Sequence, residues 1–454
     1  MLFAGARLRK AFTIPSLQGA LARYRSSPPW SDRKPVREEL FSTERLEQHA
    51  SSLAAAQPVT STPPAVLSLQ VRLDANAAVL LAAYRASAVE IEAGRSVVPA
   101  AEWLLDNYHL VEEQIREVRQ DLPPGYYRQL PKLRDGPFMG YPRVFGMAWA
   151  FVAHTDSNLD LEALRRFILA YQRVQPLTIG ELWAMAITLR IVLIENLRRL
   201  ADQITAGSGK RAEADALADR ILAAGASRSA QVWEDEGAPA AALSEVYAAQ
   251  LAKRLRGHDP RTTPALGWLE ECLRDQGLTI DEAVQHGQQR QGASNVTVRN
   301  VITSMRLISG IDWADFFESV SLVDERLRKT DGFAEMDFAT RNLYRSRIEQ
   351  LARRSPASEL EIAERVVALT QRIATGTRQA GEEPVTVDAG YHLIGNGRRA
   401  FERTLAFRPP VRLRLRRFCA RSGVAGYLGA ILLLSVVLLM LAGWAIGAPD
   451  LAGF

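Results

Sequence analysis

The stretch ITAGSGKRAEAD is the first candidate for chemistry, because Gly207, Gly209 and Lys210 look like part of a phosphate-binding loop. The full phosphate-loop pattern needs a glycine where Ile204 stands and a serine or threonine where Arg211 stands. No strand is predicted before it, although a phosphate loop joins a strand to a helix. We therefore interpret this stretch as a flexible loop between two helices.

A second glycine pattern, LIGNGRRAF, places Gly395, Gly397 and Ala400 at the GxGxxA spacing of dinucleotide-binding turns. Residues 391–394 could form a short strand in front of it. A dinucleotide site also needs a βαβ unit and an acidic residue about 20 positions later. An arginine-rich, apolar sequence follows instead, so the pattern favours a turn that leads into a short helix.

Other catalytic signatures are missing from the sequence. The six histidines show no i, i+3 or i, i+4 pair, so no helical metal site is expected. Neither the GxSxG of many hydrolases nor the DxD carboxylate pair of many nucleotide-sugar transferases occurs. Helical Asp and Glu residues are expected to form solvated faces. We predict no catalytic, cofactor-binding or metal-binding residue in this chain. The histidines are His49, His109, His154, His258, His286 and His392, and the tryptophans expected to pack in cores are Trp103, Trp149, Trp183, Trp268 and Trp313.

Helical periodicity dominates the elements that would position any site. The pattern predicts an all-α fold, either an irregular multi-helix bundle or a helical-repeat-like stack, followed by one transmembrane helix. The Gly-, Pro- and Tyr-rich segment 125–143 is predicted to be an ordered loop. Three helix starts carry a capping-box pattern, in which a Ser or Thr precedes a Glu by three positions. These pairs are Thr178 with Glu181, Thr279 with Glu282, and Ser358 with Glu361.

Positive charge is concentrated near the two ends of the 454-residue chain, whose formal net charge is +5. Residues 1–31 and 408–421 each hold several basic residues and no acidic residue, whereas the middle of the chain is net acidic. This distribution favours a membrane surface over nucleic acid as the partner. The two cysteines, Cys272 and Cys419, exclude a disulfide framework and suit a reducing compartment.

Residues 424–448 contain no charged side chain and are rich in Leu, Val, Ile and Ala. About 20 apolar helical residues cross a bilayer, so a transmembrane helix is predicted here. The arginines before it predict that residues 1–423 lie on the cytoplasmic side of that membrane. The residues expected to lie at the membrane surface are Arg412, Arg414, Arg416, Arg417 and Arg421.

These patterns divide the chain into five segments. Residues 1–35 are predicted to be a basic flexible or interfacial arm, 36–407 a cytoplasmic all-helical domain, and 408–423 an Arg-rich juxtamembrane segment. Residues 424–448 form the predicted span and 449–454 a short tail. Within VRLRLRRF, the alternation of apolar residues and arginines suggests an extended chain that lies flat on the membrane.

Several long strings resemble the N-terminal region of bacterial cyclic β-1,2-glucan synthases, over about residues 36–448. They are EELFSTERLEQHA, LLDNYHLVEEQIREVRQDLPPGYYRQLPKL, GYPRVFGMAWAFVAHTDS, QRVQPLTIGELWAMAITLRIVLIENLRRLA, SNVTVRNVITSMRLISGIDW, MDFATRNLYRSRIEQLARRS and YHLIGNGRRAFE.

The resemblance implies a large inner-membrane glycosyltransferase that uses UDP-glucose, with Mg²⁺ expected, to build and cyclise a β-1,2-glucan. It also implies partners for this chain, namely the transferase and phosphorylase regions of such an enzyme. Those regions are absent from this sequence, so no catalytic residue of the family can be placed on it. The preferred hypothesis is a membrane-anchored, non-catalytic N-terminal module. The alternatives are a tail-anchored helical scaffold that docks partner proteins, and an enzyme whose site is assembled across the bundle.

Overall fold

The computed structural model describes residues 33–95, 97–224, 228–235, 243–256, 263–375 and 388–447. Nearly all regular structure in these ranges is helical, which confirms the all-α prediction. Most of the predicted arm at 1–35 and all of the predicted tail at 449–454 lie outside them.

The chain divides into two compact units, Met1–Ser321 and Leu322–Phe454. In the first unit, two short strands pair in antiparallel fashion, with Val59 opposite Leu133 and Thr60 opposite Lys132. Its described elements are α1 (Thr43–Ala56), β1 (Val59–Thr60), α2 (Leu69–Glu92), α3 (Pro99–Asp106), α4 (Tyr108–Asp121), α5 (Pro124–Gln129), β2 (Lys132–Leu133), α6 (Arg143–His154), α7 (Leu161–Gln172), α8 (Ile179–Ala224), α9 (Ser229–Asp235), α10 (Glu245–Leu255), α11 (Thr263–Arg274), α12 (Ile280–Gly310) and α13 (Trp313–Val320).

The long helix α8 is the central element of the first unit. From residue 179 to 201 it is buried on almost every side, because α2, α4, α6 and α12 pack around it. A helix that is apolar all round belongs in a core, and the run AMAITLRIVLI has this character. The later part of α8 contributes Ala214, Leu217 and Ile221 to a second apolar cluster, shared with α9, α10, α11 and the start of α12.

The second unit is a smaller helical assembly in which α14, α15 and α17 pack against α16. Its described elements are α14 (Leu322–Leu327), α15 (Phe338–Ala352), α16 (Glu359–Thr375), α17 (Ala389–Leu393), α18 (Arg398–Thr404) and α19 (Val411–Gly447). Arg345 and Asp324 form an ion pair between α15 and α14 that is excluded from solvent, with Nη2 2.6 Å from Oδ1.

All three predicted capping boxes are present. In each of them the backbone nitrogen of the glutamate donates to the Ser or Thr hydroxyl, and the glutamate carboxylate accepts from the backbone nitrogen of the cap. These contacts join residues three positions apart, so they form whenever the local helix forms. Local sequence is therefore enough to place the starts of α8, α12 and α16.

Four local predictions need correction. The expected loop around Gly207 and Lys210 lies inside α8, because good helix formers flank the glycines and the helix packs on both sides of them. The possible strand at 391–394 is mostly the short helix α17, whose start is capped by Asp388. The predicted loop at 125–143 contains α5 and β2. The arginine-rich run from Val411 is helical rather than extended.

Residues 424–447 of the predicted transmembrane helix belong to α19, and residue 448 lies outside the described residues. Across the described residues, no helix is both long enough and apolar enough to span a bilayer.

Candidate functional site

The first unit contains an open cleft of about 960 Å³. It lies between the start of α3, the middle of α8, the helix α10 and the first half of α12. Ligand-binding pockets typically enclose about 300–1,000 Å³, so its volume suits a small-molecule ligand. The four helices come from positions far apart in the sequence, so no local pattern could have indicated this cleft.

Small residues create the space in this cleft. A Cβ atom added to Gly287 of α12 would reach only ordinary contact, 3.9 Å from the Cβ of Ala249 on α10. A Cβ atom on Gly207 of α8 would lie 3.5 Å from Nη1 of Arg211. The GSGK stretch therefore lines a cleft as part of a continuous helix, and it does not form the phosphate loop that its sequence resembles.

Five cationic side chains line the cleft, and no Asp or Glu is among the described residues that line it. Lys210 and Arg211 come from α8, Lys253 from α10, Arg256 from the residue that ends α10, and Arg290 from α12. Burial lowers the pKa of Arg211, with Asp215 opposing that effect, so its charge is only partly solvated. The wall of the cleft is consequently positive.

Carboxylates that lie outside the cleft lining hold three of these cations. Nζ of Lys210 is 2.7 Å from Glu213, and Nη2 of Arg256 is 2.7 Å from Asp281. Arg290 pairs with Glu245 at the start of α10. These are solvent-exposed pairs, which contribute little to stability and exchange readily with other anions. They orient the cations and leave the guanidinium and ammonium groups accessible.

The predicted membrane-surface arginines lie on the first turns of α19. Arg412 and Arg414 are exposed, whereas the side chains of Arg416 and Arg421 are outside the described part of the structure. Because the backbone is helical, Arg412 and Arg414, two positions apart, point to different sides of α19 and do not share one face as they would in an extended strand.

The side chain of Arg417 forms an ion pair within the second unit. Its Nη2 lies 2.6 Å from Oε2 of Glu402, a buried carboxylate that also binds Arg347 and Arg398. Burial alone would raise the pKa of Glu402, but hydrogen bonds from Arg417 and Arg398 and the charge of Arg347 lower it. This cluster fixes the beginning of α19 against α18 and α15.

The GxGxxA pattern forms the turn that its sequence favoured. Gly397 is the N-cap of α18, and the space that its Cβ would need is filled by the ring of Tyr391. Nε2 of His392 is buried and has no hydrogen-bond partner within the described residues. Burial lowers the pKa of His392, which suits a neutral ring that packs near Phe401.

The structure brings together two histidines that the sequence does not relate. The rings of His49 on α1 and His154 at the end of α6 are 4.7 Å apart, and His154 stacks on Phe41 at 3.9 Å. Nδ1 of His154 lies 2.7 Å from the carbonyl oxygen of Glu39. No third His, Cys, Asp or Glu completes a metal-ion cluster here or elsewhere in the described ranges.

Two glutamates that were expected on solvated faces are instead buried in the first unit. Glu181 has no exposed side-chain surface and accepts two hydrogen bonds from Arg143, at 2.8 and 2.6 Å. Glu195, also fully buried, binds arginines on α2 and α8. Nearby, burial lowers the pKa of Lys132 to about 8, with Glu181 opposing it. Since the carboxylate of each glutamate is fully hydrogen-bonded to its partners, these buried ion pairs stabilise the core.

Comparison with known proteins relates the sequence of this chain to one region of a known enzyme. The chain is 38% identical over 380 residues to the cyclic beta-(1,2)-glucan synthase NdvB of Rhizobium meliloti (strain 1021). This chain is related in sequence to part of a cyclic β-(1,2)-glucan synthase. The match covers 83% of this chain and 13% of that relative, so it confirms the predicted resemblance to one region of a much longer protein. No protein-family model matches the chain.

Proposed function

We propose that this chain is a non-catalytic, membrane-attached N-terminal module of a cyclic β-(1,2)-glucan synthase. The observation that carries the proposal is the 38% identity, which extends over most of the chain and over a small part of the relative. In the full enzyme, UDP-glucose and Mg²⁺ would be used by the transferase region, and this module would support that region and the phosphorylase region. The helical units and saturated buried ion pairs suit a rigid support.

Membrane attachment is proposed to occur through α19. Large apolar side chains are exposed along its described part between residues 428 and 441. Leu432 and Leu439 are 69% and 72% exposed, and their seven-residue spacing places them on one side of the helix. Soluble proteins rarely leave such a continuous apolar surface uncovered. With Arg412 and Arg414 toward anionic headgroups, the two units would lie on the cytoplasmic side of the inner membrane.

A fractionation experiment tests the attachment. The full chain should sediment with membranes and resist alkaline carbonate, whereas a Leu432→Glu/Leu439→Glu variant should shift substantially to the soluble fraction. Leu343→Glu is the matched control, because Leu343 on α15 is 61% exposed and lies outside α19. Wild-type chain in the soluble fraction, or equal retention of the double variant, would contradict the proposed attachment.

The non-catalytic role is tested separately. Purified chain incubated with radiolabelled UDP-glucose and Mg²⁺ should release no UDP and form no glucan. Turnover that persists after repurification and is lost on heat denaturation would refute this role and favour an enzyme assembled across the bundle.

A chimera tests the family module directly. The aligned segment of the Rhizobium meliloti synthase is deleted, or replaced by this chain or by an unrelated helical domain of similar length. Only the chimera that carries this chain should restore cyclic glucan production. If the unrelated domain restores it equally, or if a chimera that carries this chain reaches the membrane and remains inactive, the module assignment fails.

A further inference from the structure

We propose that the cleft between α3, α8, α10 and α12 binds a phosphate ester that also carries several hydroxyl groups. This ligand would come from one of two sources, a phosphorylated saccharide or the polyol-phosphate headgroup of a phospholipid. The inference does not depend on the role assigned to the chain as a whole, because it rests on the contents of the cleft.

The charge of the cleft selects for an anion. Five cations line it, and the carboxylates that pair with three of them lie outside the lining. Among the described residues no ion pair involves Lys253, which is exposed on α10. Arg211 lies half-buried in the same wall. A guanidinium and an ammonium group on opposite helices suit the several oxygens of a phosphate group.

Helix ends add to the positive potential. Ser244 and Val246, at the beginning of α10, and Val98 and Ala100, at the beginning of α3, all line the cleft. The N-terminal end of a helix carries a partial positive charge, so both ends favour a bound anion. The backbone N–H of Ala100 already donates to Oδ1 of Asn295. At the start of α3, the helix dipole therefore contributes to the positive potential of the cleft, and this N–H group does not.

Side-chain amides supply the recognition of hydroxyl groups. Four glutamines and one asparagine line the cleft; a side-chain amide carries donor N–H groups and an acceptor oxygen, although Oδ1 of Asn295 already accepts from Ala100. Gln250 donates from Nε2 to Asp215 at 2.8 Å, which fixes its orientation and leaves its oxygen as an acceptor. Hydroxyl groups need donors and acceptors together, whereas a bare phosphate needs donors alone. The amides are Gln203, Gln250, Gln288, Gln291 and Asn295.

Calorimetric titration of the full chain in detergent tests the proposal. The probes are glucose 1-phosphate, glycerophosphoglycerol as a soluble lipid headgroup, neutral glucose and inorganic phosphate. At least one hydroxylated phosphate ester should bind more tightly than glucose or inorganic phosphate, and its binding should weaken as salt increases. Tighter binding of glucose 1-phosphate identifies the saccharide source, and tighter binding of glycerophosphoglycerol identifies the lipid source.

Charge-removing variants locate the site. Arg211→Gln and Lys253→Gln should each weaken binding on the order of tenfold, because each removes a charge-assisted hydrogen bond. Arg116→Gln on α4 and Lys329→Gln after α14 are matched controls that should bind as the wild type does. Binding of neither ester, equal binding of glucose, or equal losses in the control variants would each overturn the proposal.

Discussion

Glu195 offers a sharp test of how the first unit is held together. Its carboxylate is fully buried and accepts hydrogen bonds from Arg72 at 2.5 Å, Asn76 at 2.8 Å, Arg199 at 2.9 Å and Arg198 at 3.0 Å. Burial alone would raise the pKa of Glu195, but the charges of the three arginines lower it. The carboxylate therefore joins α2 to α8 as an anion.

Glu195→Gln removes the negative charge that balances these arginines and turns an NH₂ group toward donors. Loss of one partner from a buried ion pair costs about 3–5 kcal/mol. For a unit of about 300 residues, an unfolding entropy of about 2.1 cal/mol/K per residue makes each kcal/mol shift the melting temperature by about 1.5–2 °C. The transition of the first unit should therefore fall by roughly 5–10 °C. Differential scanning calorimetry of the detergent-solubilised chain, with circular dichroism at 222 nm, measures this shift.

Glu213→Gln is the control on the same helix. Glu213 is exposed and pairs with Lys210 at 2.7 Å, so its loss should cost less than about 1 kcal/mol. Equal melting temperatures for the two variants would refute the conclusion that the buried carboxylate connects α2 and α8.

Three further predictions concern stability. Burial, and the charge of neighbouring His154, lower the pKa of His49, so the unfolded chain binds more protons than the folded chain below about pH 6.5. The free energy of unfolding should therefore fall as the pH drops below about 6.5, and it should fall less in His49→Gln. Thermal melts at several pH values measure this difference. The pKa of Lys132 is lowered to about 8 in the folded chain, so between about pH 8 and pH 10.5 the unfolded chain binds more protons and the free energy of unfolding should rise with pH. Denaturant titrations of Lys132→Met should lack that rise. Gly140→Ala should lose about 1–3 kcal/mol in such titrations, because φ is +84° and its Cβ would lie 2.7 Å from Cγ1 of Val66. Gly136→Ala, with φ of +80° and no atom within 4 Å, should lose less.

Several features of the fold follow from neighbouring residues alone. The caps at Thr178, Thr279 and Ser358 depend on contacts three residues away, and the apolar run of α8 marks it as a core helix. Such signals act within one or two helical turns, so they can be read from the sequence. The loop predicted at the GSGK stretch is wrong, because the packing of α8 before and after these glycines outweighs the cost of about 1 kcal/mol for each glycine within a helix.

Other features could not be derived from local patterns. The sequence could not indicate that Glu181 and Glu195 are buried, because the partners that reach them from other helices, Arg143 and Arg72, lie 38 and 123 positions away. The same holds for the histidines of α1 and α6, which meet only because α1 packs on α6.

The helical character of the chain, the starts of several helices and the resemblance to part of a glucan synthase can all be read from the sequence. Those properties reside in periodicity, in capping pairs and in long matching strings. Which charges are buried and which line a cleft depends on how the helices pack. Lys210, Lys253 and Arg290 belong to three helices that are separate in sequence, and they share one cavity because α8, α10 and α12 pack together. Burial and proximity are properties of that packing, so they appear only once the helices are assembled.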